Sequence, residues 1–124
     1  MAYVQRYAVS LTTAADGSAT GYTEVANGRV FSISYVDTDL DAGADLTATT
    51  ETTAQPVLTA ANFGGTDTTW HPRVQVHDAA DASAATLDGT RKNLDYVWAA
   101  TERIKLVLAQ GGNVKSGTFY VVVG

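Results

Sequence analysis

The chain has 124 residues with 13 Asp and Glu against 8 Lys and Arg, which fits one acidic domain of ordinary size. It contains no cysteine, which excludes disulfide bonds and thiolate metal sites. Its basic residues are scattered, and an acidic chain without a basic cluster repels nucleic acid.

The first third of the chain alternates apolar and polar residues, which predicts antiparallel strands. The predicted strands cover residues 3–11, 21–26 and 29–36. Between the second and third, Asn27 and Gly28 predict a tight hairpin, because both residue types tolerate positive φ. In the third strand, Phe31, Ile33 and Tyr35 are expected to face one side together.

The middle of the chain is less regular. Residues 37–53 are rich in Asp, Thr and Ala, and Thr47 and Thr49 indicate a short strand among them. Pro56 predicts that the next strand either starts at this proline or lies at the edge of a sheet. A helix over residues 54–62 is the alternative, because proline is tolerated in a first helical turn.

The second half returns to strict alternation. Residues 69–78 predict a strand with one wet face, formed by His71, Arg73, Gln75 and His77. Further strands are predicted over residues 94–99, 103–109 and 118–123. A turn at 111–113 is expected to pair the last two as a hairpin, with the uncharged final strand either central in a sheet or at an edge that a partner covers. About eight strands in all predict a single all-β domain over residues 1–124, an antiparallel, jelly-roll-like β-sandwich.

No catalytic or metal-binding motif is found. His71 and His77 are about 20 Å apart along an extended strand, too far to share one metal ion. Residues 37–41 carry three Asp but lack the Gly and Glu that a calcium loop requires, so only weak cation binding stays open for them. No Gly-x-Ser-x-Gly elbow is present. The expectation is a non-enzymatic protein without a cofactor or metal site.

Candidate contact residues lie on the wet strand face and in the polar loops 37–53 and 79–92. Arg73 is the leading candidate, because a guanidinium makes paired hydrogen bonds to carboxylate or backbone oxygens. Trp98 shares its parity with Tyr96, so it either fills the core or forms an aromatic patch that binds protein or sugar. The remaining candidates are His71, Gln75, His77, Arg91 and Lys92.

Four segments of the second half together resemble small structural proteins of tailed bacteriophages, of the capsid decoration or cement type. They are TWHPRVQVHD (69–78), LDGT (87–90), RIKLVLAQGG (103–112) and KSGT (115–118). The resemblance covers about the last 55 residues. It implies a jelly-roll-like sandwich on the outside of the virion head that bridges major capsid subunits as a dimer or trimer, without nucleic acid or membrane partners.

Other functions stay open beside this one. The chain could be a tail, neck or baseplate component, a carbohydrate-binding module or, more remotely, an enzyme subunit. No basic start followed by an apolar run opens the sequence, and no apolar stretch approaches the ~20 residues of a membrane helix. The expectation is therefore synthesis and assembly in a host cytoplasm.

Overall fold

The computed structural model describes residues 3–78, 86 and 89–124. Over these ranges the chain is all-β, and none of their segments forms a helix that could span a membrane. The strands are β1 (Gln5–Thr12), β2 (Ala19–Tyr22), β3 (Ala26–Asp37), β4 (Asp45–Thr50), β5 (Pro56–Ala60), β6 (Thr68–Trp70), β7 (Val74–Gln75), β8 (Leu94–Asp95), β9 (Val97–Glu102), β10 (Ile104–Ala109) and β11 (Ser116–Val123).

The strands form two larger antiparallel sheets and one small sheet. The first sheet has the order β1-β11-β3-β6, with β9 also paired to β3, and the second has the order β2-β10-β4-β5. β7 and β8 pair with each other. At twelve residues, β3 is long enough to pair with β11 along one edge and with β9 and then β6 along the other.

Both larger sheets contribute to one hydrophobic core. Apolar side chains alternate with more exposed ones along the strands, so that each sheet buries one face. The rings of Tyr35, Phe63 and Phe119 meet in this core, with Tyr35 4.9 Å from Phe63 and 5.2 Å from Phe119 between ring centroids. Such edge-to-face and tilted contacts are favourable arrangements for aromatic rings.

The predicted number of about eight strands is wrong, because eleven form in the described part of the chain. The predicted strand 69–78 is broken at Pro72, which cannot donate to a strand ladder. β6 and β7, on either side of the break, join different sheets. The predicted strand 94–99 is broken at Tyr96, where β8 leaves its partner β7 and β9 begins on β3. The single wet face over residues 71–77 is therefore not formed.

Asn27 and Gly28 do not form the predicted hairpin turn. They lie inside β3, opposite β9, and Gly28 has a φ of 125°. A Cβ atom on Gly28 would lie 2.7 Å from the carbonyl carbon of Gly124, so glycine permits both the backbone conformation and the close approach. The chain passes from β2 to β3 through residues 23–25, and β2 pairs with β10.

The last strand is internal, which is one of its two predicted positions, but the predicted hairpin with residues 103–109 is wrong. β11 lies between β1 and β3, whereas β10 lies between β2 and β4. Residues 110–115 therefore cross from one sheet to the other. Thr13 fixes this crossing, since its Oγ1 donates to the Gly112 carbonyl oxygen at 2.6 Å and accepts from the Lys115 N–H at 2.8 Å.

The predictions for the middle strands are confirmed. Thr47 and Thr49 lie in β4. β5 begins at Pro56 and is an edge strand of its sheet, so the alternative helix over residues 54–62 is wrong. Pro56 lacks an N–H group, which an edge position tolerates and an internal position does not.

Candidate binding surface

Two arginines and three aromatic rings meet on the outer face of the first sheet, where β3 pairs with β9. This arginine–aromatic cluster consists of Arg29, Phe31, Arg73, Tyr96 and Trp98. Arg29 and Trp98 are direct cross-strand partners. Their chain neighbours on the two strands, Val30 and Val97, are fully buried. Because side chains alternate along a strand, Arg29 and Trp98 point away from the core.

Three rings surround the Arg29 guanidinium. Its central carbon lies 5.2 Å from the Phe31 ring centroid, 5.3 Å from Tyr96 and 5.9 Å from Trp98. Phe31 and Tyr96 meet edge to face at 5.3 Å and 76°. Ring faces carry partial negative charge and attract a cation at these distances. The contacts therefore hold the guanidinium in place before any ligand binds.

Arg73 reaches one of these rings, Tyr96, from the segment before β7. Pairing of Val74 with Asp95 brings Arg73 beside Tyr96, and its guanidinium carbon lies 4.0 Å from the Tyr96 ring centroid. Nη1 of Arg73 also donates to the Pro72 carbonyl oxygen at 2.6 Å. The short β7–β8 pair thus positions a second fixed guanidinium.

A β-bulge places Phe31 in the cluster. Val122 pairs with Ser32 and Val123 pairs with Val30, which leaves Phe31 as an extra residue in β3. Ile33 is buried, whereas Phe31 is only half-buried and contacts Arg29. The prediction that Phe31 faces the same side as Ile33 and Tyr35 is therefore wrong, because the extra residue changes the alternation.

The row of residues through Arg29 continues across the sheet. Gly124 exchanges two backbone hydrogen bonds with Arg29, at 2.9 and 3.0 Å, and Val4 lies against Gly124 on its other side. Val4 is 66% exposed and Trp98 is 56% exposed. The row therefore has an apolar side chain at each end, a guanidinium near its centre and no side chain at Gly124.

The arginines of this face carry charge that the described carboxylates do not neutralise. Within residues 3–78, 86 and 89–124, no Asp or Glu forms an ion pair with Arg29 or Arg73. Arg6 stacks on Tyr120 of the same sheet, with 5.0 Å between its guanidinium carbon and the ring centroid. On the second sheet, by contrast, Arg103 pairs with Glu51.

Carboxylates gather instead at the far end of β3, in Asp37, Asp39, Asp41, Asp45 and Asp67. Several of them accept hydrogen bonds that fix the loops. Oδ1 of Asp39 accepts from the Ser116 N–H at 2.6 Å, and Oδ1 of Asp67 accepts from the Asp37 N–H at 2.8 Å. No group of three or more His, Asp or Glu side chains in the described ranges could hold a metal ion.

Glu102 is a buried carboxylate with a structural role. Its Oε1 accepts from the N–H groups of Thr53 at 2.9 Å and Thr52 at 2.8 Å, and its Oε2 accepts from the Thr53 hydroxyl at 2.9 Å. The hydrogen bond from the Thr53 backbone is the main reason that the pKa of Glu102 lies below its ordinary value. Glu102 thereby fixes the turn between β4 and β5.

The seven predicted contact residues are not all in one place. Arg73 and Trp98 lie in the arginine–aromatic cluster. Gln75 is half-buried in β7, and the other four are exposed: His71 after β6, His77 after β7, and Arg91 and Lys92 near the bridge between Thr86 and Lys92. Of the predicted contact loop 79–92, residues 79–85 and 87–88 lie outside the described ranges.

Arg29 and Phe31 were not predicted to be contact residues. A usable signal was present, since each of the pairs Arg29/Phe31 and Tyr96/Trp98 occupies alternate positions of a strand predicted from the sequence, although Tyr96 lies between β8 and β9 in the structure. What the sequence lacked was evidence that these two strands pair. Comparison with known proteins adds no relative, because the chain matches no family model, no curated protein and no solved structure.

Proposed function

We propose that the chain is a non-enzymatic virion structural protein, a decoration protein that binds the outside of a phage head and stabilises contacts between major capsid subunits. The observation that carries this proposal is the arginine–aromatic cluster. Trp, Tyr and Arg are the residues that most often dominate the energy of protein–protein interfaces. The choice of partner is supported by the sequence resemblance over residues 69–124.

We also propose a finer description of the fold, a jelly-roll-like sandwich of the two larger sheets. It is supported by the single core to which both sheets contribute, and by the crossing of residues 110–115 from β10 to β11. Such a scaffold holds Arg29, Phe31 and Trp98 on strands, where side-chain geometry is more precise than on loops. The proposal includes a dimer or trimer on the capsid exterior as the bound state.

Purified particles test the function. The protein is expected on heads, at a fixed copy number relative to the major capsid protein, by quantitative mass spectrometry of separated heads and tails. Arg29→Ala and Trp98→Ala should each lower head occupancy at least tenfold, while Lys105→Ala on the second sheet leaves it unchanged. Recovery with tails would favour a tail, neck or baseplate role, and absence from particles would refute a virion role.

A carbohydrate-binding module is the second candidate, because the exposed Trp98 ring could stack on a sugar. The geometry favours it less. Tyr96 already contacts Arg73, Arg29 and Phe31, so a row of open rings is not present in the cluster. Saturable, Trp98-dependent binding on an oligosaccharide array would favour this alternative over decoration.

A further inference from the structure

We propose that the arginine–aromatic cluster binds an extended, acidic segment of its protein partner, with two carboxylates at alternate positions. One carboxylate pairs with Arg29, the other pairs with Arg73, and an apolar side chain of the segment packs on Trp98. The inference deepens the proposed function and rests on it for the source of the segment, which would be a capsid subunit.

Contact with aromatic rings leaves hydrogen-bond donors on both guanidinium groups. A guanidinium carries five N–H groups, and Arg73 gives one, from Nη1, to the Pro72 carbonyl oxygen. The N–H groups that remain match the two oxygens of a carboxylate. Because the rings already restrict both side chains, less conformational entropy is lost when a carboxylate binds.

The distance between the two guanidinium groups sets the spacing of the carboxylates. Arg29 lies 5.3 Å and Arg73 lies 4.0 Å from the same ring centroid, so their guanidinium carbons are at most about 9 Å apart. Side chains two residues apart on an extended strand share a face and lie about 7 Å apart. An acid-x-acid pattern, which also keeps both carboxylates on one face, therefore fits within this limit.

Charge favours a protein segment over nucleic acid. Single-stranded nucleic acid is bound by long basic grooves that follow many phosphates. This cluster offers two arginines on a protein with a net charge of −5. Two fixed cations beside an exposed tryptophan match a short segment with two carboxylates and one apolar residue.

Isothermal titration calorimetry of the purified full chain tests the inference without particles. The probes are a capped Val-Ser-Glu-Ser-Glu peptide, whose valine and two glutamates share one face when it is extended, its Val-Ser-Gln-Ser-Gln analogue, the rearranged Val-Ser-Ser-Glu-Glu peptide and a ten-nucleotide oligothymidylate. The alternating acidic peptide should bind at least tenfold more tightly than the other three. Arg29→Gln and Arg73→Gln should each weaken its binding at least tenfold, while Lys105→Gln, with its charge on the second sheet, leaves binding unchanged.

Circular dichroism melting of each variant separates lost binding from lost folding. Equal binding of the glutamine peptide, or wild-type affinity in the folded Arg29→Gln variant, would overturn the inference. Preference for oligothymidylate would also overturn it and would indicate a nucleic acid site. If the acidic peptide binds but the protein is absent from particles, the proposed function fails and the inference stands. If head occupancy depends on Arg29 but the acidic peptide does not bind, the proposed function stands and the inference fails.

Discussion

At the scale of single residues, Glu102 links protonation to the fold. Its carboxylate accepts two backbone N–H bonds and one hydroxyl bond from Thr52 and Thr53. These bonds favour the charged form, which is why its pKa is lowered in the folded protein. A lowered pKa means that the folded state is stabilised above the pKa of the unfolded chain, and that this stabilisation is lost as pH falls through the folded value.

We therefore expect Glu102→Gln to make the melting temperature less dependent on pH in the acidic range. The wild-type melting temperature should fall as pH drops below about 4.3, the ordinary glutamate pKa. The melting temperature of the variant should be lower than that of the wild type at pH 7. It should fall less between pH 7 and pH 3, because the variant has no carboxylate to protonate at this position. Glu24→Gln, an exposed control, should keep the wild-type profile. Parallel profiles for Glu102→Gln and wild type would contradict this role for Glu102.

Val114 is a β-branched residue in the left-handed region, with a φ of 51° and a side chain that is 63% exposed. That conformation costs a non-glycine residue about 1–2 kcal/mol, and glycine at an ordinary position costs about 0.5–1 kcal/mol. Val114→Gly should therefore raise the free energy of unfolding by about 0.5–1 kcal/mol, measured by urea denaturation. Val36→Gly, at an exposed position of a regular strand, should lower it by about 1 kcal/mol. A destabilised Val114→Gly would show that the valine side chain makes a contact worth more than its strain.

Residue burial was predictable where alternation is unbroken. Ile33 and Tyr35 share one face, as alternation along a strand predicts, and both are buried. Phe31 departs from this rule, since one extra residue in β3 moves it to the outer side. A bulge depends on the partner strand, and the sequence of one strand does not contain that information.

At the scale of elements, β11 supports the first sheet from its interior. Its inward side chains Phe119, Val121 and Val123 are buried, and the strand pairs with β1 on one side and β3 on the other. Burial of each such side chain contributes about 1.5–3 kcal/mol. Together they are comparable to the whole stability of a small domain, about 5–15 kcal/mol.

Deletion of residues 118–124 is therefore expected to abolish folding. Circular dichroism should show loss of the strand signal, and size-exclusion chromatography should show aggregation or an expanded chain. Deletion of residues 1–4, which include the exposed Tyr3 and Val4, is the control and should preserve the fold. If the C-terminal deletion variant stays monomeric and unfolds cooperatively, β11 is an assembly arm and not a core strand.

Strand existence was more predictable than strand pairing. Alternation and a proline that suits an edge position predicted β1, β4 and β5. The predicted partners of β2 and β11 were wrong, because nearness in sequence favours hairpins and this chain crosses between sheets at residues 23–25 and 110–115. The arginine–aromatic cluster depends on the pairing of β3 with β9, so its assembly was beyond local signals.

At the scale of the whole molecule, charge is unevenly distributed. Arg6, Arg29 and Arg73 contact rings on or beside one end of the first sheet. Asp37, at the other end of β3, lies about 26 Å from Arg29 by strand rise. Asp39, Asp41 and Asp67 lie in the loops around it, and Asp45 begins β4.

This distribution predicts salt-sensitive association. The rate of binding to empty shells, followed by stopped-flow light scattering, should fall at least tenfold between about 0.05 and 0.5 M NaCl. At the higher concentration, salt ions screen the attraction between charges that are more than a few ångströms apart. Arg6→Gln should reduce the salt dependence, and Lys105→Gln should leave it unchanged. A rate independent of salt in the wild type would show that these charges do not guide the encounter.

The same separation of charge makes the arginine end of the first sheet less negative than the aspartate end. In the field of a negatively charged surface, such a molecule turns its arginine end toward that surface before the two surfaces touch, which reduces the number of unproductive collisions. If the chain decorates a head as proposed, contact through the arginine–aromatic cluster keeps the aspartate end away from the acidic segment of the partner. The aspartate ends of neighbouring copies would then repel each other, and this repulsion would weaken as salt is added.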